Sequence, residues 1–199
     1  MPRLPLVAAL AAALSAPFAA PAVAQQSEDA FALGLGLRST PIIFDDDFLT
    51  SFAPRVYFAF PAGGRIILEP SFGLFRVSRK AESDAGSSSF SASAVNLAVA
   101  LLFASDAGSD GRLYWGPRVG VVRSAFESEF SGGPRNSSQR LDLQLAAVTG
   151  GEFFLVPRLG LGGEVGLEWT RTGDDDGPAD ESGSILGTTA ELRLRWYLR

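Results

Sequence analysis

Charged residues recur in this chain at intervals of two, and that spacing is where chemistry could start. Glu191, Arg193 and Arg195 alternate with Leu192, Leu194 and Trp196, and Glu164 and Glu168 share one parity of the preceding segment. Successive side chains of an extended strand point to opposite faces, so residues of one parity share a face. Two neighbouring carboxylates can do acid–base work. Beside guanidinium groups they form ion pairs instead, and Arg193 makes pairing the simpler reading of Glu164 and Glu168. The chain has neither histidine nor cysteine. Zinc sites of the usual kind, Ser-His-Asp triads and cysteine nucleophiles are therefore excluded. Lys80 is the sole lysine and lies in a polar stretch, poor ground for a Ser–Lys pair. The expectation is a protein that is not an enzyme and holds no cofactor.

Two acidic runs could take a cation: Asp45-Asp46-Asp47, and Asp174-Asp175-Asp176 with Asp180 and Glu181. An EF-hand places its acids at alternate positions before a glycine, and neither run does so. They read as solvated loops, with no metal site expected.

The elements that position these charges are strands. Eight period-2 segments stand out, at 30–38, 52–60, 65–77, 90–104, 112–126, 140–155, 158–170 and 185–198. Long polar connections (39–51, 78–89, 127–139, 171–184) alternate with short ones at 61–64, 105–111 and around Val156-Pro157. That rhythm is expected of an antiparallel up-and-down transmembrane β-barrel with its long loops outside the cell.

One parity is apolar throughout, for example Leu33, Leu35 and Leu37, Leu97, Val99 and Leu101, or Leu192, Leu194, Trp196 and Leu198. The other carries Arg55, Glu69, Arg118, Glu152, Glu164, Glu168, Glu191, Arg193 and Arg195, interleaved with Gly and Ala. Parity alone does not say which face is inside. Small residues crowd the charged parity, as a narrow interior requires, and aromatics gather near segment ends, as membrane interfaces favour. Both put the charges inside and the apolar face on lipid.

Residues 1–24 have a basic start at Arg3, an Ala- and Leu-rich run broken by Pro17 and Pro21, and the ending Ala22-Val23-Ala24. This is the form of a cleaved secretory signal, leaving 25–199 as one barrel domain. After it, no apolar run approaches the roughly 20 residues of a spanning helix, so entry into a membrane needs a closed sheet. The formal charge of −5 makes nucleic acid an unsuitable partner.

Segments, loop rhythm and terminal strand together resemble the small outer-membrane β-barrel family of OmpA-like and OmpX-like eight-stranded barrels. The resemblance covers nearly all of residues 25–199 and rests on architecture more than on a motif. It implies a location in the Gram-negative outer membrane, contact with lipid and lipopolysaccharide, and a terminal strand read by the barrel-insertion machinery. The family usually ends that strand on an aromatic residue; here Leu198 holds the place and Arg199 follows. Barrel enzymes of this membrane, such as lipid A deacylases and palmitoyl transferases, use a histidine that this chain lacks.

Two sets of residues then become site candidates. Inside, a tight turn at 61–64 would put Arg55 opposite Glu69, and pairing Phe130 with Arg140 would put Arg118 opposite Glu152. Glu164, Glu191 and Arg193 would meet in the last hairpin, and cross-strand neighbours about 5 Å apart can be ion pairs. Outside, Arg76, Arg123 and Arg171 fall on the apolar parity at the long-loop ends, where guanidinium forks suit lipopolysaccharide phosphates. Three functions remain open: a monomeric structural or surface-interaction barrel plugged by ion pairs, a narrow channel for ions or small solutes, and a soluble periplasmic lipocalin-like binding barrel.

Overall fold

In the computed structural model the chain folds into eight antiparallel strands that close into one barrel in sequence order. The structure describes residues 31–44, 47–83, 86–130, 136–174 and 183–198. The expected signal at 1–24, most of both acidic runs and Arg199 lie outside these residues.

The strands are β1 (Phe31–Phe44), β2 (Asp47–Pro61), β3 (Ile66–Ser83), β4 (Gly86–Asp106), β5 (Gly111–Phe130), β6 (Asn136–Val156), β7 (Leu159–Asp174) and β8 (Gly183–Leu198). Each contains one of the segments read from sequence, within a residue or two at the short-turn end. At the other end they run further than expected. β3 and β4 pair as far as Ser83 and Gly86, and β1 and β2 as far as Phe44 and Asp47. The polar connections are thus mostly strand, because two paired strands satisfy each other's N–H and C=O groups without needing apolar residues.

Closure is made by β8 against β1, from Phe31–Leu198 to Ser39–Ala190. The β2–β3 ladder is short, running from Arg55–Gly73 to Pro61–Ile67. Among the described residues, β3 above Gly73 has no register partner on β2. Pro54 and Pro70 flank or interrupt this ladder, and each lacks the N–H that a rung requires.

The two faces separate cleanly. On β8, Leu192 is 62 % exposed and Arg193 beside it 3 %. Leucine, valine and aromatic side chains cover the exterior on every strand, whereas the buried charged groups point inward. A soluble barrel that binds an apolar ligand has the reverse arrangement, so the lipocalin-like reading is set aside. Apolar cover on this scale suits hydrocarbon rather than water. At the short-turn end Phe31 packs on Phe60 and Phe58, with ring centroids 5.0 and 6.2 Å apart.

Candidate functional site

The middle of the lumen is filled by one continuous polar network to which every strand contributes, and its short-turn end is packed by an apolar cluster that includes Ile67, Leu102 and Phe154. Near the short turns the Tyr197 hydroxyl donates to Glu152. Arg195 bridges Glu152 at 3.0 Å and Glu69 at 2.6 Å. Glu69 is fully buried and also accepts from Arg193 at 3.0 Å and Arg118 at 3.1 Å. Arg118 and Arg193 converge on Glu164, with contacts of 3.0 and 2.7 Å, and Arg193 lies 3.2 Å from Glu191.

Further up, Arg55 lies 3.9 Å from Glu191 and donates to Asn96 at 2.8 Å. Asn96 donates to Gln144 at 2.7 Å, and Gln144 to Glu168 at 3.1 Å, where Arg38 completes the chain. Removing a charge from water costs several kcal/mol unless partners replace the hydration shell. Each carboxylate of this network meets at least one guanidinium.

Tyrosines frame the middle of this network. Arg193 and Arg195 lie over the Tyr57 ring at 4.8 and 5.5 Å from its centroid, and near Tyr114 at 5.7 and 5.4 Å. The negative faces of the rings add attraction to both cations. Space for these groups comes from residues without side chains. A Cβ on Gly34 would stand 1.8 Å from the Tyr57 ring, and one on Gly36 would stand 2.1 Å from the Glu191 carboxylate.

Two expected pairings need correction. Arg55 does not face Glu69; it faces Gly73, four residues along β3. The turn beyond Pro61 is wider than the tight one assumed, with Gly63 and Gly64 at φ +96° and +56° and a hydrogen bond from Ala62 N to Ile66 O. Arg118 faces Ala146 rather than Glu152, and Arg112 takes the place opposite Glu152. The cause is the continuation of β5 and β6 to Ser128–Asn136, which slides the register by six residues. In the last hairpin Glu164 stands directly opposite Glu191, with Arg193 in contact with both.

Arg38, Arg112 and all three tyrosines belong to the interior but were not among the sequence candidates. The signal was present. Arg38 shares its parity with Gly34 and Gly36, and Tyr57 shares that of Arg55. Parity places a residue inside, but an interior aromatic becomes a candidate only once the cations stacked on it are visible.

The exterior arginines mark the top of the apolar wall. Arg76, Arg123 and Arg171 are exposed, each one outward position beyond an apolar residue: Leu74, Val121 and Trp169. Arg76 lies opposite Ser93 and Arg171 opposite Ser184, so the rim continues in polar residues across the seams. Arg123 donates to Gln139 at 2.8 Å. Among the described residues no group of three or more acidic side chains is arranged to hold a metal ion.

An eight-stranded antiparallel barrel with an apolar outer wall and a charged lumen defines the class: the fold is that of the small outer-membrane β-barrels. By sequence, no family model and no curated protein matches the chain. By structure it is similar to Neisserial surface protein A, with TM-score 0.54 and 15 % identity over 88 % of this chain and 100 % of that one. It is also similar to Ail, the attachment invasion locus protein of Yersinia pestis, in complex with the heparin analogue sucrose octasulfate, with TM-score 0.50 and 12 % identity over 84 % and 95 %. A major outer membrane protein from Thermus thermophilus gives TM-score 0.50 and 15 % identity over 85 % and 98 %.

Proposed function

We propose that the chain is a non-enzymatic outer-membrane barrel of a Gram-negative envelope. It is exported by its signal, and the barrel-insertion machinery assembles it as a monomer through its terminal strand. Its lumen is shut by ion pairs, its short turns face the periplasm, and its long hairpins present a structural or interacting surface outside the cell. The observation that carries this reading is the unbroken network from Tyr197 to Arg38. It leaves Glu69 and Arg195 without access to water at the middle of the lumen. An eight-stranded barrel has an interior just wide enough for side chains, so a filled lumen gives no general diffusion path.

The rim arginines support a second part of the proposal. Arg76, Arg123 and Arg171 stand where the apolar wall ends, at the height of the outer-leaflet headgroups. There they would meet lipopolysaccharide phosphates.

Planar-bilayer recording of the purified barrel tests the closed lumen: a silent protein is expected. Discrete conductance steps would overturn it in favour of a narrow ion path through rearranged pairs. Arg76, Arg123 and Arg171 changed together to Gln should lower the lipopolysaccharide retained on purification, and unchanged retention would sink that part of the reading.

A further inference from the structure

The apolar wall is not uniformly bulky. Between β4 and β8 it carries a shallow groove of about 510 Å³ whose floor is Pro117 and Ala147, register partners on β5 and β6. Larger side chains wall it, among them Leu101, Val119, Leu145 and Leu167. Its lining is almost wholly apolar, and it opens onto the face that the preceding reading gives to lipid. Toward the long-hairpin end it reaches Trp169 and Leu186, which face each other across the β7–β8 seam.

One outward position beyond Trp169 stands Arg171. Arg123 stands two outward positions beyond Val119. These two arginines lie on either side of β6, two strands apart and offset by two residues along them, roughly 12 Å between Cα positions. Arg123 faces Leu141 and Arg171 faces Leu143. The hydrogen bond to Gln139 fixes the direction of the Arg123 guanidinium. Two cations at the head of an apolar trough match a molecule with anionic groups at one end and hydrocarbon at the other.

We propose that this groove is a specific site for one acyl chain of a phosphorylated outer-leaflet glycolipid, whose phosphate groups are met by Arg123 and Arg171. The inference rests on the membrane orientation and rim contacts proposed above, and adds to them a defined place for the chain. A bulky flat wall offers hydrocarbon no preferred position. A trough floored by a proline and an alanine lets a chain touch the walls as well as the floor, and each contact adds dispersion attraction.

The test is native mass spectrometry of the full barrel in non-ionic detergent with added diphosphorylated lipid A. The parent protein should retain one lipid. Ala147→Phe, an apolar-for-apolar change on the lipid-facing wall, should lower retention several-fold, because the ring fills the trough and removes the dispersion contacts made by the chain. Val56→Phe, an enlargement on the same wall away from the groove, should leave retention unchanged, and a heat-dependent gel shift verifies that both variants fold. The double change Arg123→Gln with Arg171→Gln should also lower retention.

Full retention by Ala147→Phe alongside loss in the arginine pair would overturn the acyl site while leaving the rim contacts standing. Loss in Ala147→Phe with an indifferent arginine pair would overturn the phosphate anchoring. Barrel dimers in place of a lipid adduct, broken by Ala147→Phe, would assign the groove to a second copy and overturn the proposal.

Discussion

Glu69 sets two carboxylate oxygens against three guanidinium groups, those of Arg118, Arg193 and Arg195. Removing it leaves three cations crowded in a space shut off from water. Glu69→Ala should therefore destabilise the barrel by about 3–5 kcal/mol, the range for breaking a buried pair, read as a lower urea midpoint for unfolding from detergent. Glycines that make room are the next test at this scale. Gly34→Ala forces its new methyl into the Tyr57 ring and should cost about 1–3 kcal/mol. Gly163→Ala, whose Cβ meets nothing closer than 3.6 Å, should cost less in the same titration. The interior position of Arg55 or Glu69 was legible from alternation with apolar neighbours. Their partners were not, because a partner depends on which residue of another strand arrives at the same height.

That height is a property of elements. Alternation recovered all eight strands, since each must present one face to apolar surroundings and the other to the lumen. Register was not recoverable in the same way. The β2–β3 turn proved wider than assumed, and the β5–β6 hairpin carried its pairing further into polar sequence. Neither error changes the face of any residue, because shifts of four and six residues are even. A shift of one would have turned a strand inside out. The wall itself can be tested on β7. Leu167 lies four residues below Arg171 on the exposed face. Leu167→Arg should cost about 2–4 kcal/mol of folding stability in bilayers, as for a cation near mid-membrane. Thr172→Arg, just past the rim arginine on the inward parity, should assemble normally; equal loss of heat-shifted protein in both variants would refute this depth assignment.

As a whole molecule the barrel joins an apolar shell to a polar lumen that is closed at the short-turn end by a small apolar cluster of Ile67, Leu102 and Phe154. The proposed outer-membrane location predicts that the protein fractionates with outer membranes and migrates differently on SDS gels with and without boiling. A freely soluble protein with a single mobility would contradict it. The shell also has an unequal circumference of hydrogen bonding. Where β1 meets β8 the ladder runs from Phe31 to Ser39, but β2 and β3 part company above Arg55 and Gly73. The weakest seam is thus not where the chain's ends meet. Amides of β3 above Gly73 that point toward β2 should exchange with deuterium ahead of those that point toward β4. When such a barrel is pulled apart, the β1–β2 hairpin is the leaf that lifts first, and the tear starts beside Pro54.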